Sequence, residues 1–188
     1  YDHIGGNYQF DSVIALNHEF SKARSKGLSN DRVGEFASEE WIHGSPPPLF
    51  DRATYSIQPY EFSRWVSEGQ VLDLGGEVQL EVLRTPGHAP DSISLLDRKR
   101  RLLFVGDTFY PGPLYAQLAE SDMDQYLDSF TKLAALAGDV DFLLTAHNYA
   151  QVEASQLQAA LDAFEAISLE KAQFEAANGE REYEFDGF

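Results

Sequence analysis

The stretch from Gln70 to Val105 constrains the fold more than any other part of the chain, because it reads as consecutive short strands. In its second segment Val78, Leu80 and Val82 occupy alternate positions, a period of two that suits a sheet with one buried face. Glycine, proline or charged residues fill the turns between the segments. The predicted strands are residues 71–74, 78–83, 92–96 and 101–105. These segments predict a domain built on a β-sheet.

Helical patterns follow these strands. Ser121 or Asp122 can cap a helix, and its apolar stripe contains Tyr126, Leu127, Phe130, Leu133 and Leu136. A second amphipathic helix is predicted over residues 153–176, with a short strand at 142–144 between the two. The polar tail 180–188 is predicted to be either frayed or a short edge strand. Strands that give way to helices indicate an α+β or α/β layered domain.

The first third of the chain is less regular. Residues 12–17 read as a short buried strand, and Glu19 to Lys26 as a helix that ends at Gly27. The run of glycine, serine and three prolines at 44–48 is incompatible with a helix or a central strand. We therefore expect one domain over residues 1–188, with a loop-rich insertion at about 27–60.

The composition excludes several classes of function. There are 31 acidic and 14 basic residues, a formal net charge of −17 with no basic stripe, so nucleic acid is not expected as a partner. The chain has no cysteine, which leaves histidine, aspartate and glutamate as metal ligands. No apolar run is long enough to cross a membrane. The sequence does not fix the compartment, and the cytoplasm is the favoured expectation.

Ligand-type side chains stand in tight contexts at strand ends and in glycine-bearing loops. Asp2 and His3 precede Ile-Gly-Gly, and His88 ends the segment Thr-Pro-Gly-His. Asp107 follows a predicted strand in Gly-Asp-Thr, and His147 follows another in Thr-Ala-His. Each residue by itself could be an ordinary loop or capping residue. Together they form a set that suits zinc, with iron or manganese as alternatives.

These four motifs, in this order and spacing, resemble the metallo-β-lactamase superfamily. Asp-His-Ile-Gly-Gly at 2–6 is similar to the second half of its H-x-H-x-D-H motif. His88, Asp107 and His147 stand where the family has its next metal histidine, its bridging aspartate and its last metal histidine. The resemblance extends from residue 2 to about residue 165.

The resemblance implies an αββα sandwich with a binuclear site at one edge, between two sheets. It assigns His88 to one metal, Asp2, His3 and His147 to the other, and Asp107 as the bridge between them. The chain departs from the pattern because the two histidines of H-x-H would precede Tyr1, as would the first strands. We expect a fragment of a longer enzyme, with a degenerate family member as the alternative.

In this family two metals, about 3.5–4 Å apart, share a hydroxide that attacks the substrate. Asp2 is expected to handle the proton of this water besides acting as a ligand. Tyr110 follows Asp107 by three residues, and its hydroxyl is a hypothetical stabiliser of the oxyanion, with core packing as the competing interpretation.

The favoured function is a zinc-dependent, glyoxalase-II-like hydrolase that acts on a small ester, thioester, lactone or related bond. Two alternatives stay open: a di-iron redox protein of the same fold, and a non-catalytic fold relative used for binding. A nuclease is disfavoured by the acidic charge. The residues do not specify the substrate, the metal or the oligomeric state.

Overall fold

The computed structural model describes residues 2–38, 42, 44–46, 48, 50–177 and 179–188. The chain divides into two compact units, residues 1–66 and residues 67–188. Among the described residues, no helix combines the length and the apolar character that a membrane span requires.

Residues 1–66 contain a two-stranded parallel pair and two short helices. Strand β1 (Ile14–Leu16) pairs with β2 (Arg64–Val66). Helix α1 (Glu19–Arg24) begins at His18, whose Nδ1 accepts a hydrogen bond of 3.1 Å from the backbone N–H of Phe20. The predicted strand and helix are thus confirmed, whereas β2 was missed because three residues carry almost no periodic signal.

The predicted insertion at 27–60 contains little regular structure among its described residues. Helix α2 (Asn30–Val33) leads into a 3₁₀ turn (Gly34–Ala37), and Leu28 forms an isolated bridge with Ile57. The Val33 and Ile57 side chains are buried, so this segment has its own small set of apolar contacts.

Residues 67–188 are organised around a six-stranded mixed sheet. Its strands lie side by side in chain order, and all pairs are antiparallel except β6 with β7. The strands are β3 (Val71–Asp73), β4 (Gln79–Arg84), β5 (Ile93–Asp97), β6 (Leu102–Gly106), β7 (Phe142–Thr145) and β8 (Val152–Glu153). The four strands predicted between Gln70 and Val105 are confirmed, and their ends lie within a residue or so of the predicted ones.

Helix α3 (Met123–Ala134) connects β6 to β7 and packs with α4 (Gln156–Ser168). Asp122 caps α3, since its side chain accepts a hydrogen bond from the Gln125 N–H. The predicted stripe of α3 faces inward, with Tyr126, Phe130 and Leu133 fully buried. These side chains join residues of the sheet and of α4 in one core, which includes Leu83, Leu96, Leu103, Val105, Leu143, Leu157 and Phe164. The core fixes the sheet edge from which the candidate ligands project.

The helix predicted over 153–176 is wrong at both ends. Val152–Glu153 forms β8, and the helix ends at Ser168. Glu170 adopts a left-handed conformation (φ 55°), its N–H bonds to the Ile167 carbonyl, and the Lys171 N–H bonds to that of Ala166. This is a Schellman termination, which the sequence did not indicate because glutamate occupies the position that glycine usually takes.

The residues beyond α4 form a hairpin instead of further helix. Strand β9 (Glu175–Ala177) pairs antiparallel with β10 (Glu180–Glu182), and Gly179 turns with φ 85°. Phe174, predicted on the helix stripe, lies outside α4 and contacts the ring of Tyr183 instead. The short-strand alternative for the tail is therefore the correct one.

Candidate metal centre

Asp107 lies at the centre of the candidate site in residues 67–188. Strand β6 ends at Gly106, which turns the chain with φ 52°, and Asp107 follows directly. Asp107 Oδ1 lies 3.0 Å from His147 Nε2, and Asp107 Oδ2 lies 3.8 Å from His88 Nε2. Each carboxylate oxygen therefore faces a different imidazole. The fold thus brings three of the predicted ligands together.

The His88 ring is oriented by the chain that follows Asp107. Its Nδ1 lies 3.0 Å from the backbone carbonyl oxygen of Tyr115. Since a carbonyl only accepts, Nδ1 carries the hydrogen, and in the neutral ring Nε2 keeps its lone pair. The nitrogen able to bind a metal is thus the one that faces Asp107.

His147 follows β7 and packs against Tyr110. The two rings meet edge to face, with centroids 4.9 Å apart. Next to it Asn148 has φ 62°, and its side-chain amide donates a 2.7 Å hydrogen bond to the Pro111 carbonyl. These contacts hold the end of β7 against the loop that follows Asp107.

Tyr110 itself is buried, and its hydroxyl donates a 2.6 Å hydrogen bond to the Pro113 carbonyl. The oxyanion hypothesis therefore requires this hydroxyl to exchange Pro113 for the substrate. The edge-to-face contact agrees with the packing interpretation of Tyr110, and the structure adds that the ring it packs against is that of His147.

Two buried polar residues next to the candidate ligands were not predicted to belong to the site. Thr85 is buried, and its hydroxyl lies 3.1 Å from that of Ser94 and 3.0 Å from that of Thr108. It links the start of the His88 segment to the residue after Asp107.

Tyr126 is fully buried. Desolvation raises the pKa of its hydroxyl well above the ordinary tyrosine value, and the nearby Tyr110 and Asp107 raise it further. The motif Thr-Pro-Gly-His could have pointed to Thr85, since Thr85 is its first residue. Tyr126 gave no such signal, because its place on the apolar stripe of α3 indicated only a core residue.

Asp2 and His3 lie in the other unit, ahead of a 3₁₀ turn at Asn7–Gln9. Their side chains are adjacent, with His3 Nε2 3.4 Å from Asp2 Oδ2. Both are substantially exposed, so both are accessible to ions in solution.

The donors around Asp107 fit a divalent metal of the zinc type. Two imidazole nitrogens and a carboxylate are ligands that zinc, iron and manganese share, and no thiolate competes for a softer metal. The side chains of His88 and Asp107 are each 19% exposed and that of His147 is 35% exposed. The centre is thus partly desolvated yet reachable by an ion.

This geometry defines a class of protein: an α+β domain with a histidine–aspartate–histidine centre at the ends of its strands. Comparison with family models agrees with this, since the model described as "Metallo-beta-lactamase superfamily" matches residues 1–147. The chain belongs to the metallo-β-lactamase superfamily. The predicted family and its α+β fold are thereby confirmed.

Similar curated proteins include the acyl-coenzyme A thioesterase MBLAC2 of Homo sapiens, 33% identical over 149 residues, or 78% of this chain and 52% of that protein. A hydroxyacylglutathione hydrolase of Idiomarina loihiensis is 34% identical over 141 residues, 75% of this chain and 48% of that protein. The chain thus spans about half the length of these relatives.

Solved structures agree on the fold. A metallo-beta-lactamase family protein of Thermus thermophilus matches with a TM-score of 0.57 and 22% identity, covering 85% of this chain and 54% of that one. An archaeal superfamily protein of Sulfolobus tokodaii matches with a TM-score of 0.52 and 21% identity, covering 90% and 63%. At such identities these similarities establish the architecture alone.

Proposed function

We propose that the protein is a zinc-dependent hydrolase that cleaves thioesters of small-molecule thiols. The observation that carries the proposal is the arrangement of Asp107, whose two oxygens each face the Nε2 of one histidine, His147 and His88. The choice of bond rests on the curated relatives, whose names each contain an acylated thiol: acyl-coenzyme A in one and hydroxyacylglutathione in the other.

His88, Asp107 and His147 would hold the metal. When bound in such a site, zinc lowers the pKa of a coordinated water and so supplies a hydroxide nucleophile near neutral pH. The carboxylate of Asp107, with one oxygen toward each imidazole, would be the ligand shared between two ions, as its motif predicts. Asp2 and His3 remain predicted ligands on the basis of their motif. The proton-handling role of Asp2 also remains a prediction.

The remaining residues of the centre orient these ligands. The Tyr115 carbonyl keeps a hydrogen on His88 Nδ1, which leaves Nε2 available as a donor to the metal. The Tyr110 ring helps to orient the His147 ring by packing against it edge to face. Tyr110 remains a candidate oxyanion stabiliser if substrate displaces the Pro113 carbonyl from its hydroxyl.

The absence of cysteine gives the test a clean readout. A chromogenic thiol reagent reacts with the thiol that the substrate releases and finds none in the protein. The zinc-loaded protein is incubated with acyl-coenzyme A thioesters and with hydroxyacylglutathione, and zinc per chain is measured on the same sample by mass spectrometry. We expect thiol release that is abolished by a chelator and restored by zinc.

Two substitutions with a matched control locate the activity. Asp107→Asn and His88→Ala are each expected to lower kcat/KM by more than about 100-fold. Removing a hydrogen-bond partner of a ligand already costs up to about 100-fold, and removing the ligand itself should cost more. Asp139→Asn, which changes an exposed aspartate beyond α3, should leave the rate unchanged. Zinc-loaded protein that releases no thiol from either substrate would refute the proposal. Bound iron with oxygen consumption would favour the di-iron alternative instead.

A further inference from the structure

Three consecutive carbonyls in the His88 segment accept hydrogen bonds from a single region, helix α3 and the two residues before it. Ser129 Oγ donates to the Pro86 carbonyl at 2.6 Å, and the Asp122 N–H donates to that of Gly87 at 2.8 Å. Ser121 Oγ donates to the carbonyl of His88 itself, also at 2.8 Å. The sheet holds this segment at Thr85, through Ser94 of β5, and α3 with the two residues before it holds the three residues that follow.

The same helix also fixes the backbone that carries Asp107. The Tyr126 hydroxyl lies 3.1 Å from the Asp107 carbonyl oxygen and 2.9 Å from that of Thr108. A phenol has one hydrogen, which these two acceptors share. Since Tyr126 is fully buried, water is not available to replace this donor.

Tyr126 is also in direct contact with the His88 segment. A Cβ added to Gly87 would lie 2.5 Å from the Cα, Cβ and Cγ atoms of Tyr126. One side chain thus abuts the residue before His88 and bonds to the backbone of Asp107. Through it, the separation between the two ligands depends on a single rigid, buried ring.

We propose that Tyr126 and Ser129 are positioning residues of the metal centre, which set the distance between His88 and Asp107 and thereby the affinity for zinc. The proposal rests on the proposed function in that it takes these two ligands to bind the metal. Neither residue touches the ligand atoms, so both act through the backbone of the ligand-bearing segments. Partners that hydrogen-bond a ligand side chain change metal affinity by about 10–100-fold when they are removed, and we expect a comparable effect from these two supports of the ligands' backbone.

The competing interpretation is that Tyr126 is only a core residue. Its ring stacks on Phe130 with centroids 5.1 Å apart and contacts Phe164 at 4.7 Å. Tyr126→Phe separates the two roles, because it keeps the ring and removes only the hydroxyl. Phe130→Leu is the matched control, since it disturbs the same stack and leaves the hydroxyl bonds in place.

The experiment measures the zinc dissociation constant of the 188-residue protein by competition with a chromogenic chelator. The visible spectrum of the cobalt-loaded protein and the melting temperature of each variant are recorded in parallel. We expect Tyr126→Phe to weaken zinc binding by about 10–100-fold and to shift the cobalt spectrum. Ser129→Ala should act in the same direction with a smaller change, and Phe130→Leu should lower the melting temperature without changing zinc affinity.

Two outcomes would overturn the positioning role alone, and a third would also refute the proposed function. Wild-type affinity and an unchanged cobalt spectrum in both Tyr126→Phe and Ser129→Ala would overturn the positioning role and leave the proposed function standing. A loss of affinity in Phe130→Leu equal to that in Tyr126→Phe would overturn it too, since packing would then explain both. A wild-type protein that binds no zinc would refute the metal-dependent function itself, and this inference with it.

Discussion

Replacing Gly87 with alanine tests how closely the His88 segment must approach helix α3. Gly87 has φ 145°, a backbone conformation that residues with a side chain rarely adopt, and the new Cβ would lie 2.5 Å from three Tyr126 atoms. Carbon atoms in contact stand about 3.5 Å apart, so the segment must retreat by about 1 Å. One of the three atoms is the Tyr126 Cα, so the contact cannot be relieved by rotating a side chain.

A displacement of that size has consequences for both stability and activity. Overpacking of this kind costs about 1–3 kcal/mol of unfolding free energy. A shift of about 1 Å in a reacting group costs about 100-fold in rate, which sets the expected fall in kcat/KM for thioester hydrolysis. Zinc affinity should fall as well, because His88 moves away from Asp107.

Gly138→Ala is the matched control for this variant. Gly138 has open space around its Cβ position and lacks the positive φ of Gly87, so the same methyl group should be tolerated there. The assays are urea unfolding, chelator competition for zinc, and thiol release. Wild-type zinc affinity and kcat/KM in Gly87→Ala would show that the close approach of the His88 segment to α3 does not control the metal centre.

Two further predictions concern the scaffold. Arg100 holds the pKa of the buried Asp97 carboxyl below its ordinary value, chiefly through its backbone N–H. This stabilisation is therefore present above the unfolded-state pKa and is lost as the pH falls through the folded-state pKa. Asp97→Asn should therefore lower the unfolding free energy by about 1 kcal/mol at pH 7, measured by urea titration. The difference in unfolding free energy between wild type and variant should narrow below pH ~4, and a difference independent of pH would contradict this. Asp122→Ala removes the cap on the Gln125 N–H and should cost about 1 kcal/mol by thermal melting, whereas an unchanged melting temperature would show that the cap contributes nothing.

The regular elements of residues 67–188 were predictable where local chemistry is strong. Alternating apolar residues indicated β4, and Asp122 with the stripe through Tyr126 and Phe130 indicated α3. The end of α4 was not predictable, because the left-handed residue there is Glu170 and its conformation is stabilised by hydrogen bonds to the helix. Strand β9 was missed because the apolar spacing of Phe174 continued the helical pattern, whereas β10 lies in the tail for which a short strand was one of the two alternatives.

The candidate site divides in the same way between what is local and what is not. The identity and order of the candidate ligands follow from motifs of three or four residues, and so did the family. The supports of those ligands did not, because the partners are far apart in sequence: Tyr115 lies 27 residues from His88, and Ser129 lies 43 from Pro86. Nothing in a local pattern indicates which carbonyl a distant hydroxyl will reach.

The sequence by itself therefore determined the family, the candidate ligands and most strands and helices, because these depend on residue identity and on short periodic spacing. The tertiary structure alone decided which oxygen of Asp107 faces which histidine, which nitrogen of His88 carries the hydrogen, and that the Tyr126 hydroxyl reaches the backbone of Asp107. Those features arise only when β6, β7 and α3 pack together, since packing alone brings distant donors and acceptors within hydrogen-bonding distance.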